Sequence, residues 1–350
     1  MMARGIDFRR SETFLHRIVF SHEANLDRGA VPVEPRSDSI CTGWGDTLVA
    51  MFAAVLTTFF FALSAILARR STVYLGSQRA NLARLLVALV FLGLWAHTVG
   101  QGLSGPSFWL FFLSGVVGFG MGDWALFETY TRLGPALAVL MCQCLAAPIA
   151  ALAEWLWLGS TMSPLQLAGS AVTLLGVTLA MAPEKERALP RGHRLAGIGF
   201  GLVAATGQGG GAVLSRYAYR QADAVHFQID GTTTAYQRLW GGVLFLVVAL
   251  LVRRLVSRER PTGGPAFRPD WRRGFPWVVG NALAGATVGV SCYQWALHET
   301  PSAIVLPIVA TTPLAVMLLV FGFEGTRPTL RAVFGAVLAV AGVVVLIGSR

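Results

Sequence analysis

The chain has little charge and almost no lysine. Of 350 residues only 13% are Asp, Glu, Lys or Arg, and the one lysine is Lys185. An ordinary soluble domain carries about 25% charged residues, so a water-soluble fold could not cover its surface with this set. The lone lysine also leaves no Gly-x-x-x-x-Gly-Lys phosphate loop, and no stretch reads as a nucleotide-binding domain, which excludes an ATP-driven pump. No His-x-x-Glu-His zinc spacing and no Gly-x-Ser-x-Gly elbow occurs, so neither metal nor serine chemistry has its usual residues and no cofactor is implied. Cysteine is sparse too: Cys41, Cys142, Cys144 and Cys292. Cys142 and Cys144 are two apart, which on a helix turns them to different faces; all four read as buried free thiols. The arginines behind the net charge of +10 sit between apolar blocks, as in Arg69-Arg70, Arg253-Arg254 and Arg272-Arg273. None interleaves with stacking aromatics as single-strand binding requires, so nucleic acid is not expected as a partner.

What fills the sequence is apolar residues, 54% of the total, with a mean hydropathy of +0.60. They come in long blocks, such as 48–68, 136–158 and 333–348, each near or above the roughly 18 residues that mark a membrane-spanning helix. The chain reads as an integral membrane protein with membrane lipids as its solvent. At about 1.5 Å of rise per residue, ten spans are expected, near 47–68, 82–98, 107–127, 136–158, 164–182, 195–214, 233–252, 276–297, 301–323 and 329–348. Gly105-Pro106, Gly134-Pro135, Ser163-Pro164, Pro183, Pro190, Pro261, Pro301 and Pro328 punctuate them. Small residues four apart (Gly118/Gly122, Gly197/Gly201, Gly207/Gly211, Gly285/Gly289, Gly335/Ala339) permit close helix packing where lipid supplies no hydrophobic drive. Residues 1–45 form a polar, mixed-charge tail without a signal-peptide apolar region; it reads as a disordered extension, or as a start assigned too early.

An internal repeat is the most informative feature. Trp124-Ala-Leu-Phe-Glu-Thr129 returns as Trp295-Ala-Leu-His-Glu-Thr300. Pro148 in the fourth span matches Pro313 in the ninth. Gly169 and Gly176-Val177 match Gly335 and Gly342-Val343, and Arg84 matches Arg238. The intervals are alike and in the same order (295 − 124 = 171, 313 − 148 = 165, 342 − 176 = 166, 238 − 84 = 154). The chain therefore divides into two copies of five helices, 46–183 and 194–349. Five is odd, so the second copy enters the membrane from the opposite side. Such an inverted repeat puts a substrate site between the halves and permits alternating access.

These motifs resemble the drug/metabolite transporter superfamily, specifically the ten-helix proteins with two EamA-type repeats, over about 46–349. The resemblance is carried by Gly122-Asp123, the Pro148 run, Leu158-Gly159, Ser163-Pro164-Leu-Gln166 and Gly169-x6-Gly176-Val, then by Pro313, Phe323-Glu324-Gly325-Thr-Arg327-Pro328 and Gly335-x6-Gly342-Val. The family's Leu-Gly-Glu-Arg is replaced in the first copy by Leu158-Gly159-Ser160-Thr161. The resemblance implies an all-α fold of two inverted five-helix repeats. It also implies a secondary transporter of small metabolites, often an exporter, in a bacterial cytoplasmic membrane, as a monomer or homodimer.

Ionisable groups inside spans are costly and are functional candidates by default. Asp123 lies about 21 Å along the third span from Trp109, between a glycine-rich stretch and Trp124; it reads as a proton or substrate-amine site, or as an acid packed against Arg84 or Arg132. The hexapeptide repeat makes Gln294 its counterpart. Glu154, beside Trp155 and Trp157, reads as interfacial, its carboxylate snorkelling toward water. Gln143, Gln208, Trp124, Tyr293 and Trp295 are candidate cavity residues, completing an expected substrate and ion pathway with Asp123, Glu154 and Gln294. Glu128, Glu299 and Glu324 read as caps at helix ends. The Gly207-Gln208-Gly-Gly-Gly211 run either bends its helix or packs it tightly. Pro148, Pro307 and Pro313 are candidate kinks for gating. Arg84 and Arg238, each opening a helix, either attract an anionic substrate or anchor at headgroups.

Short-loop cations concentrate after the odd-numbered spans, at Arg69, Arg70, Arg79, Arg132, Lys185, Arg187, Arg191, Arg194, the seven arginines of 253–273, Arg327 and Arg331, against Arg216, Arg220 and Arg350 on the other side. That asymmetry puts both termini outside the cytoplasm, whereas the resemblance implies both inside. The expected activity is secondary transport of a small polar metabolite such as an amino acid, with the proton as candidate coupling ion; the alternatives are a non-transporting scaffold or an intramembrane enzyme.

Overall fold

In a computed structural model, residues 43–133, 135–181, 191–256, 268–324 and 329–349 are described; the expectation for residues 1–42 of the tail lies outside them. Among the described residues ten helical segments follow one another. They are α1 (Gly43–Leu75), α2 (Ser77–Thr98), α3 (Phe108–Gly115, Val116–Gly122 and Asp123–Leu133), α4 (Pro135–Leu158) and α5 (Pro164–Met181). The second set is α6 (Arg191–Ala224), α7 (Gly231–Val256), α8 (Trp271–Asn281, Ala282–Gly289 and Val290–Glu299), α9 (Ser302–Val309 and Thr312–Glu324) and α10 (Leu330–Gly348). Nine stretches among the described residues are long and apolar enough to cross a membrane, and Pro164–Ala180 is a shorter apolar helix.

Helix ends follow local chemistry. Gly76, at φ 77°, turns α1 into α2 in one residue, a conformation that glycine adopts without the Cβ clash. Arg69, Arg70 and Arg79, expected in a loop, therefore lie on helical turns. Before α5 a reciprocal capping box forms: the Gln166 amide donates to Ser163 Oγ at 3.2 Å and the Ser163 amide donates to Gln166 Oε1 at 2.9 Å. That exchange is a physical reason for serine and glutamine three residues apart. In α10 the Ala332 amide donates to Thr329 Oγ1.

Both α3 and α8 pass through a π-helical segment, Val116–Gly122 and Ala282–Gly289, a rare feature that re-aims the side chains beyond it. Their starts are 166 residues apart (282 − 116 = 166), the interval that also separates Gly169 from Gly335 and Gly176 from Gly342. The Trp124 and Trp295 hexapeptides are five residues out of step with this register (171 − 166 = 5). Packing agrees. Gly118 and Gly122 meet Gly211 and Gly207 of α6, while Gly285 and Gly289 meet Ser64 and Phe61 of α1. Gly289 and Val290 thus stand where Asp123 stands in the first half, which corrects the pairing of Asp123 with Gln294.

Close approaches join the halves. A Cβ on Gly207 would lie 2.5 Å from Gly122 Cα, and one on Gly209 would lie 2.7 Å from the Ala146 carbonyl of α4. The glycine run therefore packs α6 tightly and leaves it one continuous helix. In α5 and α10, Gly169 faces Gly342 and Gly176 faces Gly335: the earlier glycine of one helix meets the later of the other, as antiparallel partners must. Outward faces carry Val90, Leu94, Leu175, Leu318, Val337 and Val344, all exposed, an apolar belt that only lipid can cover. Of the cysteines, Cys142 is buried, whereas Cys144 and Cys292 are half-buried and not fully buried as expected; all three are free.

Candidate functional site

The π segment of α3 delivers Asp123 to the bundle interior, with 6% of its surface exposed. Arg84, the eighth residue of α2, donates through Nη2 to Asp123 Oδ2 at 2.7 Å and through Nε to Asn81 Oδ1 at 2.8 Å. Asp123 is therefore paired, and of the two arginines named for it Arg84 is the partner. Arg132 instead binds Glu128 at 2.6 Å, one turn away on the same helix, and its guanidinium lies 4.5 Å over Phe200.

Arg238 occupies the matching eighth position of α7 and is 3% exposed. Neither arginine opens its helix. Gly115 and Gly118 of α3 make the room: a Cβ on Gly118 would lie 3.0 Å from Arg238 Nη2, and one on Gly115 would overlap the Arg238 carbonyl. The guanidinium stands 5.2 Å over the Phe119 ring, yet its Nε and Nη1 have no hydrogen-bond partner. A cation–π contact supplies about 0.5–2 kcal/mol, while an unpaired buried charge costs several. The balance is unfavourable as it stands.

Arg238 forms one wall of a central cavity. Gln143 from α4, Gln208 from α6 and Tyr293 from α8 supply its other polar groups; Phe61, Phe119, Leu306 and Val309 are among the apolar ones. About 50 Å³ is open to the centres of water molecules, enough for a few waters. The α9 wall is broken beside it. Pro313 has no N–H for the Val309 carbonyl, and Thr312 Oγ1 donates to that oxygen instead at 2.6 Å. The Ile308 carbonyl accepts from the Thr311 amide at 3.1 Å, from Thr311 Oγ1 at 2.6 Å and from Thr58 Oγ1 of α1 at 3.3 Å. Irregular backbone at membrane depth is tolerated where neighbours satisfy it in this way.

Polar groups contributed by both halves to one intramembrane cavity, beside a broken helix, are the layout of a carrier. The EamA-like transporter family model matches the chain over residues 48–182 and again over 195–348. The chain belongs to the EamA-like transporter family. None of the curated proteins compared with this transporter matches it. A crystal structure of another protein superposes with a TM-score of 0.66 at 17% identity, over 87% of this chain and 99% of the other; at that identity the likeness shows the fold alone. The transporter is thus an all-α, multi-pass membrane protein of two inverted repeats, with a small-molecule substrate and a lipid surround.

Other expected site residues lie elsewhere in it. Glu154 does not snorkel toward water as expected: it has no exposed surface. Its Oε2 accepts from Ser302 Oγ at 2.5 Å and from the Ala303 amide at 3.1 Å, capping the first turn of α9, while Oε1 is 3.7 Å from Arg216 Nε. Arg216 is a residue of α6 and not of a loop, and its Nη1 donates to the carbonyls of Leu297 and His298 at the end of α8. Arg220, also on α6, donates to the Leu158 carbonyl and to Ser160 Oγ. Tyr219 stacks on His298 at 4.3 Å. These contacts bind the far ends of α4, α6 and α8 to the start of α9.

Trp124 packs edge-on against Phe200 at 5.6 Å, and Trp295 is 40% exposed; neither lines the cavity. Gln294 is fully buried, and both its amide atoms lack partners among the described residues, but it too is outside the cavity wall. Pro148 sits within an unbroken α4 and Pro307 within the first piece of α9, so of the three prolines Pro313 alone marks an interruption. Sequence reasoning missed Phe61 and Phe119 in the cavity, because nothing separates them from lipid-facing phenylalanines. It also missed Ser302, whose signal was present as a serine directly after Pro301 at a helix start.

Proposed function

We propose that this transporter is a secondary carrier that exports a small polar metabolite, such as an amino acid or a related compound, by alternating access between its two repeats. The carrying observation is the central cavity, with Gln143 from the first repeat and Gln208, Arg238 and Tyr293 from the second. Export, and residence in a bacterial cytoplasmic membrane, rest on the family resemblance.

Ligand pockets for small molecules occupy about 300–1,000 Å³, far more than the space now open, so the walls must part to load a solute. The tie of α4, α6, α8 and α9 through Glu154 and Arg216 is the natural closure at that end of the bundle. The coupling ion is the proton. Of the two buried carboxylates Asp123 and Glu154, Glu154 is committed to the α9 cap, which leaves Asp123, whose protonation would release Arg84.

Reconstitution into proteoliposomes tests this reading. A labelled amino-acid panel is expected to move when an inside–outside pH gradient is imposed, and Asp123→Asn is expected to abolish gradient-driven accumulation while sparing solute exchange. If no solute moves under any ion gradient, the carrier assignment is wrong; if Asp123→Asn accumulates solute like the parent, the proton route is elsewhere.

A further inference from the structure

We infer that Arg238 is the recognition group for a substrate carboxylate, so that the cavity selects a monoanionic acid group and not a neutral or dianionic one. This deepens the transport reading and rests on its assignment of the central cavity as the substrate site.

The inference follows from counting charges in a place where each is expensive. Two arginines, Arg84 and Arg238, and one acid, Asp123, are carried into the interior by equivalent positions of α2 and α7 and by the π segment of α3. Arg84 and Asp123 neutralise each other at 2.7 Å. Arg238 is left over. Among the described residues no carboxylate lies within ion-pair distance of it, its Nε and Nη1 are unpartnered, and no other wall residue of the cavity is charged. The local sum is therefore one uncompensated positive charge at the bundle interior. Membrane interiors penalise such a charge unless it is paired, and water in so small a cavity solvates it poorly. A carboxylate entering the cavity supplies one negative charge and two acceptor oxygens, which suit the planar donor fork of an arginine better than the point charge of a lysine.

The surroundings fit a carboxylate-bearing body. Gln143, Gln208 and Tyr293 offer both donors and acceptors, while Phe61, Leu306 and Val309 present apolar wall. A phosphate dianion would overshoot the single charge available. A neutral amide of the same shape would leave Arg238 as lonely as before, and sites built around an unpaired buried polar group discriminate strongly against ligands that fail to pair it. Two sources carry the group: simple monocarboxylic acids, which bring the local sum to zero, and free amino acids, whose carboxylate pairs with Arg238 while the ammonium, with no acid in the wall to meet it, turns to the glutamines or the tyrosine.

The test is binding, kept apart from transport. The purified full-length protein in lipid nanodiscs is melted in the presence of each L-amino acid, its carboxamide, short monocarboxylates and inorganic phosphate, all at equal concentration. At least one carboxylate is expected to raise the melting temperature, and titration is expected to give a Kd about tenfold or more tighter than for its carboxamide. Which arm responds, amino acids or simple acids, names the source. Arg238→Gln is expected to erase the acid-over-amide preference and Arg238→Lys to recover part of it. Should Arg238→Gln not fold, the acid-to-amide ratio on the parent protein decides alone. Equal stabilisation by acid and amide, stabilisation by phosphate above any carboxylate, no response to any carboxylate, or a preference that survives in Arg238→Gln overturns the inference. Transport of a neutral solute without acid-over-amide preference would sink the carboxylate site and leave the carrier standing; acid-selective binding without transport would do the reverse.

Discussion

Replacing Gly207 by alanine adds one methyl group at the tightest point between α6 and α3. Its Cβ would lie 2.5 Å from Gly122 Cα and 2.9 Å from the Val117 carbonyl oxygen. Ordinary contact begins at 3.4 Å, so the two helices must part by about 0.9 Å (3.4 − 2.5 = 0.9). Neither neighbour is a side-chain end that can swing away, because both are backbone. Overpacking of this kind costs about 1–3 kcal/mol, from which alanine's better helix propensity returns up to about 1. A net loss of about 1–2 kcal/mol is expected. Gly199, on the same helix with nothing within 4 Å of its would-be Cβ, is the control: Gly199→Ala gains the propensity without the clash. Melting in detergent, followed by the fraction that still elutes as a monodisperse peak, should rank Gly207→Ala below the parent and Gly199→Ala at or above it. Parting α3 from α6 also shifts Gly118, against which Arg238 is seated, so Gly207→Ala should slow transport as well. Equal melting of Gly207→Ala and Gly199→Ala would refute the close backbone approach, and with it the account of how the halves join.

Three further outcomes can be read with the same preparations. Glu154→Ala strands the Ser302 hydroxyl and the Ala303 amide and should cost about 1–3 kcal/mol for each donor left without its acceptor, whereas Glu154→Gln keeps one acceptor oxygen and should melt above it; comparable melting of the two variants would mean that the acceptor does not matter there. Asp123→Asn and Arg84→Gln should each destabilise by about 2–3 kcal/mol, discounted from the fully buried case because the Arg84 side chain is 17% exposed. The double variant should melt above either single one, and simple additivity would argue against a direct pair. Pro313→Ala restores an N–H for the Val309 carbonyl and displaces the Thr312 hydroxyl from it; turnover should fall with little change in melting, and an unaltered transport rate would remove the break in α9 from the transport cycle.

Much of the fold was readable because membrane helices obey few rules. Length, apolar runs and Pro or Gly punctuation located ten spans, and the glycines of α5 and α10 recurred at the interval that the π segments share. What misled was local similarity. The Trp124 and Trp295 hexapeptides are nearly identical, yet they lie five residues out of the structural register. Both halves carry the π segment at the same register, so the contacts of the glycines, and not the repeated letters, fix which residues correspond. Glu154 misled for another reason. Tryptophans beside an acid near a helix end read as an interface, and only the arrival of Ser302 and Ala303, 148 and 149 residues on, turns that acid into a buried cap.

The scarcity of charge determined, from the sequence alone, that the solvent is lipid, and the repeated motifs determined that five helices are used twice. Both are properties of single helices or of intervals along the chain. The tertiary structure decided which of the few buried charges compensate one another. Arg84 and Arg238 hold equivalent places in their halves and look alike in the sequence. Asp123 exists in one half only, and three dimensions assign it to Arg84 and leave Arg238 facing the cavity. Pairing at a few ångströms between residues far apart in the chain is a matter of packing, which composition and spacing do not encode.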